Sequence, residues 1–316
     1  MKLWQKNTPA HKKIDHFTVG KDRAYDLHLA AYDCQASIAH AQMLYQIGIL
    51  TEYETQATVN VLKELKIQAE NSKFVIDDNF EDMHSKIEFV LTEKLGDLGK
   101  KIHTARSRND QVLVAMQLYL KQEISVIKSM TYDFFKLLIK LTKQHKDKLL
   151  PGYTHFQVAM PSSFGLWFSA YAESLIDDIT LLNAAKKIVD QNPLGSAAGF
   201  GSSFPIDRKS TTKSLNFGDL KYNVIAAQMS RGKAEKTTAF AMASLSANLS
   251  KMANDICLYM GQEHNFVSFP DRLTTGSSIM PHKKNPDVFE LIRGKSNLIQ
   301  GLPNQLALLT SNLPSG

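Results

Sequence analysis

Residues 110–149 read DQVLVAMQLYLKQEISVIKSMTYDFFKLLIKLTKQHKDKL, and no glycine or proline interrupts the chain between Gly99 and Pro151. Apolar side chains fall at Leu113, Met116, Leu120, Ile124, Ile127, Met130, Phe134, Leu137 and Leu141, which is 28 residues over 8 steps, or 3.5 per step. That is the period of a helix packed lengthwise against others. At about 1.5 Å per residue the helix would be roughly 60 Å long. Such a length predicts a bundle or coiled-coil-like core rather than a small compact domain.

The neighbouring segments agree. A second helix is expected from near Pro161 to about Asp190. A third runs from about Arg231 to Met260, where Leu245, Leu249, Met252, Ile256 and Tyr259 alternate steps of four and three. A fourth should begin with Asn285 as its cap and Pro286 in the first helical position. Helical patterns also cover about 21–50, 52–71 and 80–96, and alternating strand patterns are scarce. The expected fold class is all-α: a long-helix bundle with a smaller N-terminal helical domain.

The 316 residues are 43% hydrophobic and 22% charged, as in ordinary globular proteins. The net charge of +6 is modest. Lys136, Lys140, Lys143, Lys146 and Lys148 recur at helical spacing as a solvated face, so the charge gives little reason to expect nucleic acid as a partner. A small anionic substrate uses a mild positive excess equally well. Cys34 and Cys257 form no metal-type spacing and imply no disulfide framework; both read as buried thiols in a reducing compartment. The N-terminus MKLWQKNTPAHKK has no apolar run behind its charge, so no secretory signal is expected. No segment approaches the roughly 18 apolar residues that span a bilayer. No membrane association is expected, and the expected address is cytoplasmic.

Four polar, irregular stretches lie between the helices, where functional side chains concentrate. In KIHTARSRNDQ (101–111), Arg106 and Arg108 at a helix N-terminus could bind a carboxylate or phosphate. Taken alone, the stretch reads first as a capped helix start, with Ser107, Asn109 or Asp110 as the cap and the arginines on the surface. In PGYTHFQVAMPSS (151–163), His155 could move a proton near neutral pH, with Thr154 and Gln157 beside it; it could also be a structural hydrogen-bonding group. In FPDRLTTGSSIMPHKKNPD (269–287), Gly276 frees the backbone to expose N–H groups and Lys283 and Lys284 supply charge. A helix N-terminus at Asn285-Pro286 adds positive potential, so this loop suits an anion or a developing negative charge. A mobile lysine-bearing surface loop has the same composition. The glycines of NPLGSAAGFGSSFPIDR (192–208) match neither a P-loop nor a strand-linked dinucleotide motif, and read as a tight crossing between helices. The chain holds no HExxH and no spaced Cys/His set, so no metal site is expected.

With these motifs in view, the chain resembles the fumarase/aspartase superfamily. GSSIMPHKKNPD matches that superfamily's GSSxMPxKxNP signature, which is highly specific. HTARSRNDQV, GYTHFQVAMP and NPLGSAAGFGSSFPIDR resemble the argininosuccinate lyase family in order and separation. The likeness covers the chain from about residue 20 to its end. It implies a homotetramer whose central helices form one bundle, with each active site shared among subunits. It implies reversible cleavage of the small-molecule substrate argininosuccinate to arginine and fumarate, with no metal or organic cofactor. Other superfamily lyases, acting on adenylosuccinate or aspartate, are the alternative within the fold. A non-catalytic, crystallin-like assembly protein is the alternative outside enzymology.

Carried over by position, the resemblance assigns Ser277 as the catalytic base. Lys283 and Asn285 stabilise the aci-carboxylate, His155 is the general acid or its relay, and Glu290 orients that histidine. Asp26, His84, Ser107, Arg108, Asn109, Thr154 and Gln157 fall at substrate-contacting positions. The implied domains are 1–108 (N-terminal, helical) and 109–316 (central bundle). Two departures stand out. The family's N-terminal Trp-Gly-Gly-Arg-Phe element reads LWQKNTPAHKK here. The chain ends at LLTSNLPSG, where the family is expected to continue with a Tyr, a Gln and a Lys that hold substrate and then a C-terminal helical domain.

Overall fold

A computed structural model describes residues 11–313. Of the N-terminal stretch LWQKNTPAHKK, residues 3–10 lie outside the described part. Among the described residues the chain is built from helices, as expected. In order they are α1 (Lys12–Val19), α2 (Asp22–Asp26), α3 (Ala30–Gln46), α4 (Glu52–Glu70), α5 (Met83–Leu95), α6 (Asp97–Lys100) and α7 (Arg108–His145). A hairpin of β1 (Leu149–Thr154) and β2 (Gln157–Ser163) precedes α8 (Phe164–Val189). Then follow β3 (Gln191–Asn192), α9 (Arg208–Ser214), β4 (Asp219–Leu220), α10 (Val224–Met229), α11 (Lys233–Met260) and α12 (Asp287–Leu309). No helix is long and apolar enough to cross a membrane among the described residues.

The chain divides into two compact units, and the division falls inside α7. One unit runs through Gln122 and resumes at Lys187–Lys233; the other comprises Glu123–Lys186 and Ala234–Asn312.

The first unit is organised on α3 and α4. Thr51 and Glu54 form a reciprocal capping box at the start of α4: the Glu54 N–H donates to Thr51 Oγ1 at 3.3 Å, and the Thr51 N–H donates to Glu54 Oε2 at 2.9 Å. Asp82 caps α5 by accepting the Ser85 N–H at 2.8 Å. These helices bury Leu44, Leu62, Leu65, Met83, Ile87 and Leu91 in one cluster. Leu62 is completely buried. Leu62→Ala should therefore cost about 2–5 kcal/mol of stability, read from urea unfolding at matched protein concentration.

In the second unit the chain approaches itself closely where α8 begins. A Cβ on Gly165 would lie 2.6 Å from the Lys146 Cα, so any larger residue would push the start of α8 away from the end of α7. Asp178 ties α8 to α11, accepting the Ser244 hydroxyl at 2.7 Å and the Asn248 amide at 3.2 Å. The 3.5-residue stripe of α7 is only partly buried within the chain. Ile124 is fully covered, but Met130 is 66% exposed and Leu137 48%, while Leu138 is buried in its place. A straight helix at 3.6 residues per turn drifts about 20° per heptad away from such a stripe, which accounts for the change of face.

Three sequence expectations need correction. The stretch 151–163 is an antiparallel hairpin with Pro151 opposite Pro161, so α8 starts at Phe164 rather than near Pro161. The helical pattern over 21–50 is two helices, broken at Leu27–Leu29. Asn285 does not cap α12, which begins at Asp287 after Pro286. The Asn285 backbone instead pairs with Thr275, donating at 2.8 Å and accepting at 3.3 Å. Its amide Nδ2 donates back to Thr275 Oγ1 and the Gly276 carbonyl at 3.4 Å each, and α12 has no side-chain cap.

Candidate functional site

In the first unit, the start of α7 carries Ser107, Arg108 and Asn109. Ser107 does cap the helix: its Oγ accepts the Asn109 N–H at 3.2 Å, while its own N–H donates to Asp110 Oδ1 at 3.0 Å. Asp110, fully buried, also anchors the glycine-rich stretch: its Oδ2 accepts the N–H groups of Gly195 at 2.9 Å and Ala197 at 3.0 Å. Arg208 closes this loop from the other side, donating to the carbonyls of Leu194 at 2.9 Å, Lys221 at 2.8 Å and Tyr222 at 3.0 Å. Gly195 has φ +85° and a Cβ there would meet Arg208 Cγ at 2.8 Å, so the position needs glycine on both counts. The glycine stretch is thus a loop held between two charged groups, the buried Asp110 and the half-buried Arg208. Asp110 therefore does more than the capping expected of it: besides accepting the Ser107 N–H it anchors a loop 85 residues further on.

Arg108 is already engaged, with Nη1 at 3.0 Å from Asp82 Oδ2 and Nη2 donating to Ser85 Oγ at 3.1 Å. Asp26 accepts the Met83 N–H at 3.0 Å, and burial raises its pKa. Between these contacts stands His84, 3% exposed and 3.1 Å from the completely buried Asp33. Burial alone would lower the pKa of His84, but Asp33, with Asp82 and Asp26 beyond it, outweighs burial and the net direction is up. Burial alone would raise Asp33, but His84 and Arg106 hold it below the usual carboxylate range. The pair is therefore ionic. The stability that His84 contributes is complete below about pH 6.5 and fades as pH rises through its raised value. The stability from Asp33 is present above its ordinary value and fades in stronger acid.

His40 behaves in the opposite way. Burial and the nearby Arg106 push it down to about 3, so the ring is neutral and its Nε2–H donates to the Thr104 carbonyl at 2.9 Å. The unfolded chain takes up this proton below about pH 6.5 and the native state does not, so stability climbs as pH rises from about 3 to 6.5. His40→Gln should flatten that acid limb by about one proton, or roughly 1.4 kcal/mol per pH unit, measured as urea midpoints from pH 4 to 6.5.

In the second unit, Thr154 and Gln157 face each other across the tip of the β1–β2 hairpin. His155 and Phe156 form its turn with φ of +52° and +59°, and both are exposed. His155 rims a cavity of about 560 Å³ walled by Tyr153, Trp167, Tyr259 and His264. Asp255, also in its wall, accepts the Trp167 Nε1–H at 2.9 Å and the Tyr171 hydroxyl at 2.6 Å.

The loop 275–285 is closed at its base by the Thr275–Asn285 bridge. Inside it Ser277 Oγ accepts two backbone N–H groups, from Ile279 and Met280, at 3.3 Å each. Lys284 is paired with Asp271. Lys283 has no such partner among the described residues and lines a cavity of about 630 Å³ with Asn285 and Glu290. Cys257 also lines it and is only partly buried, against expectation; burial, with Glu290 nearby, raises its thiol pKa.

Within the second unit, Lys283, Asn285 and Glu290 therefore share one cavity, and His155 belongs to another. Among the described residues no hydrogen bond or ion pair joins His155 to Glu290 in the same chain. Ser277 is not in the wall of either cavity. No group of three or more His, Cys, Asp or Glu side chains is placed to hold a metal among the described residues.

A family model described as Lyase matches residues 7–301. An argininosuccinate lyase of Parabacteroides distasonis is 55% identical over 315 residues, covering 100% of this chain and 71% of that protein. The argininosuccinate lyase of Thermotoga neapolitana is 40% identical, with 100% and 79% covered. Among solved structures, an EDDS lyase in complex with formate superposes with a TM-score of 0.84 at 25% identity, covering 98% of this chain and 61% of that one. A class II fumarase of Schistosoma mansoni, at 17% identity and a TM-score of 0.82, shares the fold. The chain thus spans about 71% of the first of these relatives and about 61% of the solved EDDS lyase.

Proposed function

Because the chain belongs to the argininosuccinate lyase family of the fumarase/aspartase superfamily, we propose that it cleaves argininosuccinate reversibly to arginine and fumarate. The chemistry is that of a carbon–nitrogen lyase. Ser277, as its alkoxide, takes the proton from the carbon next to a carboxylate. The electron pair enters that carboxylate as an aci-carboxylate, with Lys283 and Asn285 stabilising the added charge. The pair then forms the fumarate double bond as the carbon–nitrogen bond breaks, and His155 delivers a proton to the leaving guanidino nitrogen. Glu290 orients a histidine in this scheme. Ser107, Arg108, Asn109, Thr154 and Gln157 hold substrate, with Asp26 and His84 behind them.

The observation that carries this reading is the double N–H donation to Ser277 Oγ inside the lysine-bearing loop. A serine acts as a base only where its alkoxide is favoured, and donors aimed at Oγ favour it. The separation of His155 from Glu290 within one chain supports a site completed by other copies, in a homotetramer. The half-covered α7 stripe at Met130 and Leu137 supports the same arrangement. A cytoplasmic location and the 1–108/109–316 domain division belong to this proposal too.

The direct test is ultraviolet detection of fumarate when the protein meets argininosuccinate. Turnover of adenylosuccinate or aspartate instead would move the assignment to another superfamily lyase. No lyase activity from a correctly assembled oligomer would favour a non-catalytic assembly protein.

A further inference from the structure

Helix α3 is lined mainly by small and apolar residues, yet Asp33, Ser37 and His40 on it are each buried to 1% exposure or less. Their spacing, i, i+4 and i+7, puts them on one face. Buried polar groups are costly unless they are engaged, and an apolar replacement of similar shape often costs nothing. All three act on the same short segment, Thr104–Arg106. His40 donates to the Thr104 carbonyl at 2.9 Å. Ser37 Oγ accepts Arg106 Nη1 at 2.8 Å. Asp33 acts electrostatically on Arg106 and pairs with His84 at 3.1 Å.

Between the two held residues lies Ala105, with φ +58°. A non-glycine residue in the left-handed region persists only where its surroundings over-determine it. Ser107, Arg108 and Asn109 follow directly. Resting on the lyase reading for the role of those three, we infer that Asp33, Ser37 and His40 are positioning residues: a buried polar cradle on α3 that holds Ala105 in its left-handed turn and so presents Ser107–Asn109 to the substrate. The partners come from α3, from α5 through His84 and from the turn itself, so the cradle joins three segments at the point where the substrate loop begins.

The test compares His40→Leu, which removes the donor, with His40→Gln, whose amide can still reach Thr104. Two readouts are taken on the assembled protein: amide hydrogen exchange across 104–110 without substrate, and steady-state kinetics with argininosuccinate. His40→Leu should speed exchange in that segment at least tenfold and raise KM at least tenfold, with kcat within threefold of the parent. His40→Gln should restore both to within threefold. Unchanged exchange in His40→Leu overturns the cradle, as does faster exchange with unchanged KM, or a His40→Gln variant as impaired as His40→Leu. If the parent protein does not cleave argininosuccinate, the lyase reading fails on its own, and the cradle is decided by whether exchange rises in His40→Leu and is restored in His40→Gln. Should His40→Leu not fold, Ser37→Ala, which deletes only a hydroxyl, takes its place in both readouts.

Discussion

Ser277→Ala should lower kcat for argininosuccinate cleavage by roughly 10²–10⁴-fold, the usual worth of a positioned acid–base group, while circular dichroism and oligomeric state stay those of the parent. The fold should tolerate the change because Ser277 lies in the 275–285 loop, whose base is closed by the Thr275–Asn285 bridge and not by the serine. The side chain's visible contacts are the two N–H groups of Ile279 and Met280, both within its own turn. Losing them should loosen the turn without reaching the helix core. Turnover within tenfold of the parent, in a variant that is correctly assembled, would remove Ser277 from the role of base.

The second large effect concerns the adjacent lysines. Lys283→Met should reduce kcat by about 10²–10³-fold, as expected when one group stabilising developing negative charge is lost. Lys284→Ala should stay within about threefold of the parent. By charge alone the two lysines are alike, and only the resemblance singles out Lys283; in the structure Lys284 is paired with Asp271, while Lys283 has no such partner among the described residues and lines the cavity that holds Asn285 and Glu290. An exposed ion pair such as Lys284–Asp271 contributes about 0–1 kcal/mol, so its loss should also leave stability nearly unchanged. Equal damage from both substitutions would mean that the loop supplies diffuse charge rather than one directed cation.

The helical frame could be read from the sequence because hydrophobic spacing is a local property. The 3.5-residue stripe predicts α7 and the four-three alternation predicts α11, to within a few residues at their ends. Loop structure was harder. The hairpin tip at His155-Phe156 adopts positive φ with neither glycine nor asparagine to signal it. Asn285-Pro286 has the composition of a helix start, but the backbone of Asn285 is claimed by a residue ten positions earlier. The motif residues could be found as motifs. Their supports could not, because Asp110 and His40 act on segments reached only through tertiary packing. The one local clue is a set of polar side chains at helical spacing, Asp33, Ser37 and His40, on a helix otherwise fit for burial.

The attachment of Asp110 to the glycine-rich stretch also sets a schedule for synthesis. Its two backbone donors, Gly195 and Ala197, follow it by 85 and 87 residues. Ribosomes extend chains at roughly 5–20 residues per second, so the carboxylate waits roughly 4–17 s for its partners to be made. In that interval the start of α7 can form from local contacts and from partners already made, His40 and Ser37 on α3 and Asp82 and Ser85 at the start of α5, but Asp110 Oδ2 has no backbone donors. The glycine-rich stretch is therefore fastened onto a helix start whose other supports are already in place. A ribosome-bound chain halted before Gly195 should carry a formed α3–α4 pair with Thr104–Arg108 already protected from protease, because its partners on α3 and α5 precede it.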